Sequence, residues 1–281
     1  MAAERAIGSR LATHEGFLRH GRFRWAKIAL LVAGIAALLY AFDKPDPRPN
    51  GGSAYGYTLG TIGALLIVWL TLLGVRKRAM TPGAWSLKAW TSAHVYLGLA
   101  LIVIATLHTG FEFGWNVHTL AYALMLIVIV SGMVGVALYA TLPRRLSDNR
   151  GERTETQMVV ELRTLDAQLH DAGQALDGEP AARVRAALQE DPLKAGLWRR
   201  LTGWYPSGPT QAALRVFAGQ SDPAAERIAG LLDRRASMLA RMRRHMRYKA
   251  MLEAWLYIHV PVTFALLAAL TAHIVAVFFY W

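Results

Sequence analysis

The sequence predicts an all-α, polytopic membrane protein: five transmembrane helices and one large soluble insertion. Three observations predict it. The 281 residues are 54% hydrophobic, and the apolar residues fall into five long runs. Each run approaches the roughly 20 residues a helix needs to cross hydrocarbon. Lysine and arginine are distributed very unevenly between the connections.

The first expected span is 25–42, after a cytoplasmic segment 1–24. With a charged lead of about 24 residues and no clear small-x-small cleavage site before Asp43, it is not expected to be a cleaved signal. Residues 44–53 form a turn-rich linker. The second span is expected over 57–75, the third over 89–110 and the fourth over 117–142. Residues 143–253 read as a cytoplasmic helical insertion, and 254–281 as the fifth span. Trp115, Tyr280 and Trp281 read as the outer aromatic belt.

Charge sets the expected orientation. The N-terminal segment carries Arg5, Arg10, Arg19, Arg22, Arg24 and Lys27, and the second connection carries Arg76, Lys77, Arg78 and Lys88. The first connection has only Lys44 and Arg48, and the third has neither lysine nor arginine. Counting basic residues in short segments places the N-terminus in the cytoplasm and the C-terminus outside, in the periplasm of a bacterial inner membrane. The net charge of +12 then reflects topology and not nucleic-acid binding. The chain has no cysteine, which excludes disulfides, cysteine-ligated iron–sulfur clusters, covalent c-type haem attachment and thiol catalysis.

In the insertion, Met158, Leu162, Leu165, Leu169 and Leu176 recur at helical spacing, as do Ile228, Leu231, Leu232, Leu239, Met242 and Met246. This predicts two long amphipathic helices packed as a hairpin, with a shorter helix near 181–189. Residues 196–209 read as a loop carrying Trp198, Trp204 and Tyr205 among Arg199 and Arg200. That loop fits a membrane-surface anchor or a docking surface for a partner protein. There is no phosphate-binding glycine loop or nucleotide fingerprint.

The chemistry lies in the histidines. Four of the nine sit within spans: His94 and His108 in the third, His259 and His273 in the fifth. Each pair is 14 residues apart. At 100° per residue, 14 steps return to within about 40° of the start and climb about 21 Å. Each pair therefore shares one helix face. The orientation makes the third and fifth spans parallel, so His94 lies level with His259 and His108 with His273.

One membrane histidine is weak evidence, because many only hydrogen-bond across a helix interface. Two equally spaced pairs on two parallel helices form a frame. Imidazole is a good iron ligand, and haem brings four equatorial nitrogens of its own. Two b-type haems, each held by two histidines, fit that frame, and with both axial positions filled the chemistry defaults to one-electron transfer. One zinc or copper site is disfavoured, since the couples stand about 21 Å apart. A flat macrocycle needs small residues on facing helices. Gly60 and Gly74 in the second span are 14 apart, as are Ala121 and Gly135 in the fourth. Small residues also serve ordinary close helix packing, and Gly63 and Gly132 compete for the role.

This H-x13-H pattern in two spans, with glycines 14 apart in the preceding one, resembles the di-haem four-helix bundle of cytochrome b in the cytochrome bc complexes. It also resembles the cytochrome b subunits of hydrogenases and formate dehydrogenases. The resemblance covers about 57–142 and 254–281. It implies a cytoplasmic haem on His94 and His259 and an outer haem on His108 and His273. The chain differs from that family in its added first span and large insertion, and it matches no quinol-site motif.

The expected function is a di-haem subunit passing electrons between a quinone pool and a partner redox protein, with 143–253 as the docking element. His118 and Glu112, at the outer end of the fourth span, are candidate groups of an outer quinone site, or else wet interfacial side chains. Arg76, Arg78, Lys88, Arg247 and Lys249 read as topology markers, some within reach of haem propionates. His14, His20, His170 and His245 lie in polar segments without an assigned role. Pro261, two residues past His259, is expected to kink its helix. Two other classes stay open: a non-haem membrane scaffold or transporter subunit, and a haem-bearing redox sensor.

Overall fold

The computed structural model describes residues 16–45, 50–79, 85–150 and 154–279, with side chains of 142–150 left aside. The basic positions Arg5, Arg10 and Arg48, together with His14, Tyr280 and Trp281, lie outside the described residues. The described residues are helical without a strand. The helices are α1 (His20–Phe42), α2 (Ala54–Arg78), α3 (Leu87–His108), α4 (Val117–Arg150), α5 (Glu155–Gly173), α6 (Gly178–Leu188), α7 (Leu197–Thr202), α8 (Pro209–Phe217) and α9 (Pro223–Phe279). Five stretches are long and apolar enough to cross a membrane: Phe17–Phe42, Ala54–Arg78, Leu87–His108, Val117–Thr141 and one within Pro223–Phe279. The protein is therefore a multi-pass membrane protein whose outward apolar side chains, such as Leu30, Leu65 and Phe264, suit lipid.

The chain divides into two compact units, one of residues 1–136 with 257–281 and one of 137–256. In the first, α2, α3, α4 and α9 each place one side chain in a shared apolar cluster: Ile67, Leu101, Met125 and Leu266. A second cluster joins α1 to α2 and α3 through Ala36, Leu59 and Ile104. Local sequence starts the helices. The Ser53 hydroxyl accepts from Gly56 N–H at 3.0 Å, and Ser86 does the same for Ala89 at 3.2 Å, satisfying first-turn donors. Gly56 is required there, since a Cβ would stand 2.1 Å from the Asn50 carbonyl oxygen. Thr106 and Tyr122 hydroxyls meet at 2.9 Å, tying α3 to α4.

Two boundaries differ from expectation. Gly21, Arg22 and Phe23 take left-handed backbone at the start of α1, so a break separates the turn at Phe17–Arg19 from the regular helix. Residues 223–279 form one continuous helix, where the sequence reads as an amphipathic helix followed by a separate span. The helix also continues through Pro261. Its apolar stripe is replaced by apolar residues all round beyond Glu253, a change of environment that needs no break in the backbone.

In the second unit the core is built from Met158, Leu162, Leu165 and Leu169 of α5, Val184 and Ala187 of α6, Ala213 and Phe217 of α8, and Ile228, Leu232, Leu239 and Met242 of α9. The long helices α5 and α9 do supply two seams, but α8 fills between them, and the sequence reading did not foresee it. Nor is 196–209 all loop: Leu197–Thr202 forms one short helix, ended by Gly203 in the left-handed region. Thr154 and Gln157 form a reciprocal capping box that starts α5. A polar knot lies inside this unit. Arg235, only 1% exposed, donates to Asp166 at 2.7 Å, to the Thr210 hydroxyl at 2.6 Å and to the Glu190 carbonyl at 3.0 Å. Glu190 accepts from the Thr210 N–H and hydroxyl and from Arg243, whose guanidinium lies over the Tyr205 ring. Burial pushes the Glu190 carboxyl up, but the Thr210 bonds and the Arg243 bond and charge outweigh it and hold it below the usual carboxylate range. His245, read as a role-free polar residue, is buried, with its Nε2 3.4 Å from the Glu155 carboxylate.

Candidate functional site

The histidines of α3 are set by α2. His94 Nδ1 stands 2.9 Å from the Leu70 carbonyl oxygen, and His108 Nδ1 stands 2.8 Å from the Gly56 carbonyl oxygen. Leu70 and Gly56 are themselves 14 residues apart, so two antiparallel helices meet at the same relation twice. A carbonyl oxygen only accepts, so each Nδ1 is the N–H and each Nε2 carries the ring's lone pair. That is the tautomer and anchoring commonly found for histidines that bind metal through Nε2.

The α9 histidines are anchored from α4. Ser131 donates its hydroxyl hydrogen to the Val128 carbonyl at 2.8 Å, so its lone pairs face His259 Nδ1 at 2.7 Å. His273 Nδ1 meets His118 Nδ1 at 2.5 Å, with one ring donating to the other. All four histidines therefore engage a neighbouring helix through Nδ1.

The structure brings the pairs together. The rings of His108 and His273 have centres 6.0 Å apart and planes at 89°. His94 lies within electrostatic range of His259. Lys77 reaches the same couple, lying within electrostatic range of both rings. The spacing in sequence singles out its neighbours Arg76 and Arg78 and passes over Lys77, whose side chain is exposed. Arg76 instead donates to the Trp85 carbonyl at 3.4 Å. Beside it, Trp25, Trp69, Trp85 and Trp90 form an aromatic cluster, Trp69 stacked on Trp90 at 4.7 Å.

The small residues divide. Gly60 lies against His108: a Cβ there would stand 2.6 Å from its Cε1. Gly74 is exposed, with open space where a Cβ would go. Gly63 packs on Leu101 and Ile104, within the helix interface. On α4, Ala121 and Gly135 are buried, and Gly132 approaches His259, with a Cβ reaching 3.6 Å from its Cε1.

His118 is half-buried, at the first turn of α4, which Asn116 caps by accepting from Thr119 N–H at 2.9 Å. The contact between His118 and His273 was not legible in sequence, because 155 residues separate them. Glu112 and Trp115 are exposed on the adjoining connection. Among the described residues, no three or more histidine and carboxylate side chains converge as a cage for a bare metal ion. His108, His273 and His118 instead form a row of adjoining rings. An apolar cleft between α1 and α2 is lined by Val32, Leu39, Tyr55 and Ile62.

Comparison with protein-family models, with curated proteins and with solved structures finds no match to this chain.

Proposed function

We propose that the protein is a di-haem b-type cytochrome subunit that carries electrons across a bacterial inner membrane between a quinone pool and a partner redox protein. The observation that carries the reading is the paired anchoring of His94 and His108 on the Leu70 and Gly56 carbonyls, with His108 facing His273 of α9. It orients two Nε2 lone pairs on one helix about 21 Å apart.

The residues suit haem. The rings of His108 and His273 have their centres 6.0 Å apart, which leaves both imidazoles within reach of one shared group. His94 and His259 would hold the cytoplasmic haem, and His108 and His273 the outer one. Haem held by two histidines would supply one-electron transfer. The chain's residues do the rest. Leu70, Gly56 and Ser131 fix the imidazole tautomers, Gly60 and Gly132 keep Cβ atoms away from the rings, and Lys77 offsets negative charge near the cytoplasmic couple. Gly74, Ala121 and Gly135 belong to the same proposed clearance by sequence position.

Quinone and partner enter as the two ends of this path. The outer quinone site would use His118 and Glu112, and the docking element would be 143–253, where Trp198 and Trp204 are exposed. The experiment is a reduced-minus-oxidised spectrum and a pyridine haemochrome on the purified chain. Two b-type haems per chain are expected; none would leave a non-haem scaffold, whose histidines serve only the interhelical bonds described above.

A further inference from the structure

We infer that His118 is the positioning residue of His273, and that through it the outer haem is given a lower reduction potential than His273 alone would set. The inference rests on the di-haem reading. It begins from the fact that all four in-span histidines use Nδ1 in the same way. For His94 and His108 the partner is a backbone carbonyl, and for His259 it is the Ser131 hydroxyl. For His273 it is another imidazole.

The geometry gives His118 little other function at that nitrogen. Its Nδ1 is 2.5 Å from His273 Nδ1, with the two rings perpendicular at 89° and centres 4.5 Å apart. The position is held from two sides. Asn116 caps the first turn of α4 at Thr119, and one turn further on Tyr122 bonds Thr106 of α3. His118 therefore arrives from a fixed helix start and not from a loop.

With Nε2 of His273 on iron, its Nδ1 is the N–H donor and His118 Nδ1 the acceptor; His118 then carries its own hydrogen on Nε2. Donation from the second nitrogen raises the basicity of the ligating one. An imidazole nitrogen is a stronger acceptor than an amide carbonyl or an alcohol oxygen. His273 thereby becomes the most electron-rich of the four ligands, and an electron-rich axial ligand favours the oxidised iron. No proton leaves the pair in this account; the hydrogen stays between the two nitrogens.

The test uses the full chain in membranes, with wild type, H118L, H118N and H273A side by side. Readouts are haem content, a redox titration resolving two components, and the low-temperature EPR signals of the two oxidised haems. H118L is expected to keep both haems, move one midpoint upward, alter one EPR signal and leave the other component where it was. H118N is expected to return both readouts toward wild type, because its amide oxygen can stand where Nδ1 stood. H273A is expected to lose the component that H118L shifts. Unmoved midpoints in H118L overturn the inference while leaving the di-haem reading intact. Loss of the outer haem in both H118L and H118N also overturns it, since His118 would then be a ligand itself. A wild-type chain without haem ends the di-haem reading and the inference with it.

Discussion

Gly60 lies against the imidazole of His108 so closely that a Cβ on it would stand 2.6 Å from Cε1 and 2.9 Å from Nδ1. The ring in turn donates to Gly56, one helical turn earlier on the same helix. A side chain at Gly60 must displace the ring and break that bond. G60A is therefore expected to cost about 1–3 kcal/mol of local packing and to weaken or remove the outer haem alone. G34A, on α1 with open space where a Cβ would go, is expected to leave both haems in place. Difference spectra of the two variants decide the matter; equal effects would show that ring contact at Gly60 is irrelevant.

Ser131 offers the corresponding handle on the couple of His94 and His259. S131A removes the acceptor of His259 Nδ1. Losing such a supporting partner typically weakens metal binding by about 10–100-fold. S131T, which keeps the hydroxyl, is expected to retain wild-type haem content. Haem retention during competition with an apo-haem acceptor measures the difference, and a loss confined to the outer haem would refute the assignment.

The polar knot of the second unit should respond strongly to truncation. Arg235 is 1% exposed and bonds Asp166, Thr210 and Glu190. R235A would strand buried partners, at about 3–5 kcal/mol. Faster amide hydrogen exchange across α5, α6 and α8 in the full chain is the expected signature, with haem spectra unchanged.

The same knot sets a pH dependence. Glu190 has its carboxyl held below its unfolded value, so its contribution to stability is complete above that value, about 4.3. It is lost as pH falls through the lower folded value. Hydrogen exchange in α6 and α8 is expected to accelerate as pH drops below about 4.3, after correction for intrinsic rates. E190Q should flatten that dependence.

The exposed aromatics separate from the half-buried one. Trp198 and Trp204 are 77% and 69% exposed, whereas Tyr205 sits beneath Arg243. W198A with W204A should leave thermal stability and both haems unchanged while impairing partner-linked reduction. Y205A removes a cation–π contact of about 0.5–2 kcal/mol and should lower stability instead. Unchanged partner-linked reduction in the double variant would leave those tryptophans as a membrane-surface anchor.

The five apolar stretches, the histidine spacing and the seams of α5 and α9 were legible in sequence, because helix period and bilayer thickness act on consecutive residues. The spacing of 14 also placed each histidine pair on one face. Distance-spanning relations were not legible. Nothing local in Leu70, Gly56 or Ser131 marks them as partners of an imidazole, since any backbone carbonyl or hydroxyl can accept. His118 meeting His273, Lys77 lying within electrostatic range of His94 and His259, and α8 joining the second core depend on how helices distant in sequence pack. The single helix Pro223–Phe279 was likewise hidden, because a change in hydrophobic pattern signals a change of surroundings and not a break in hydrogen bonding. Sequence alone singled out four histidines as one frame; tertiary packing decided which nitrogen of each is committed and to what.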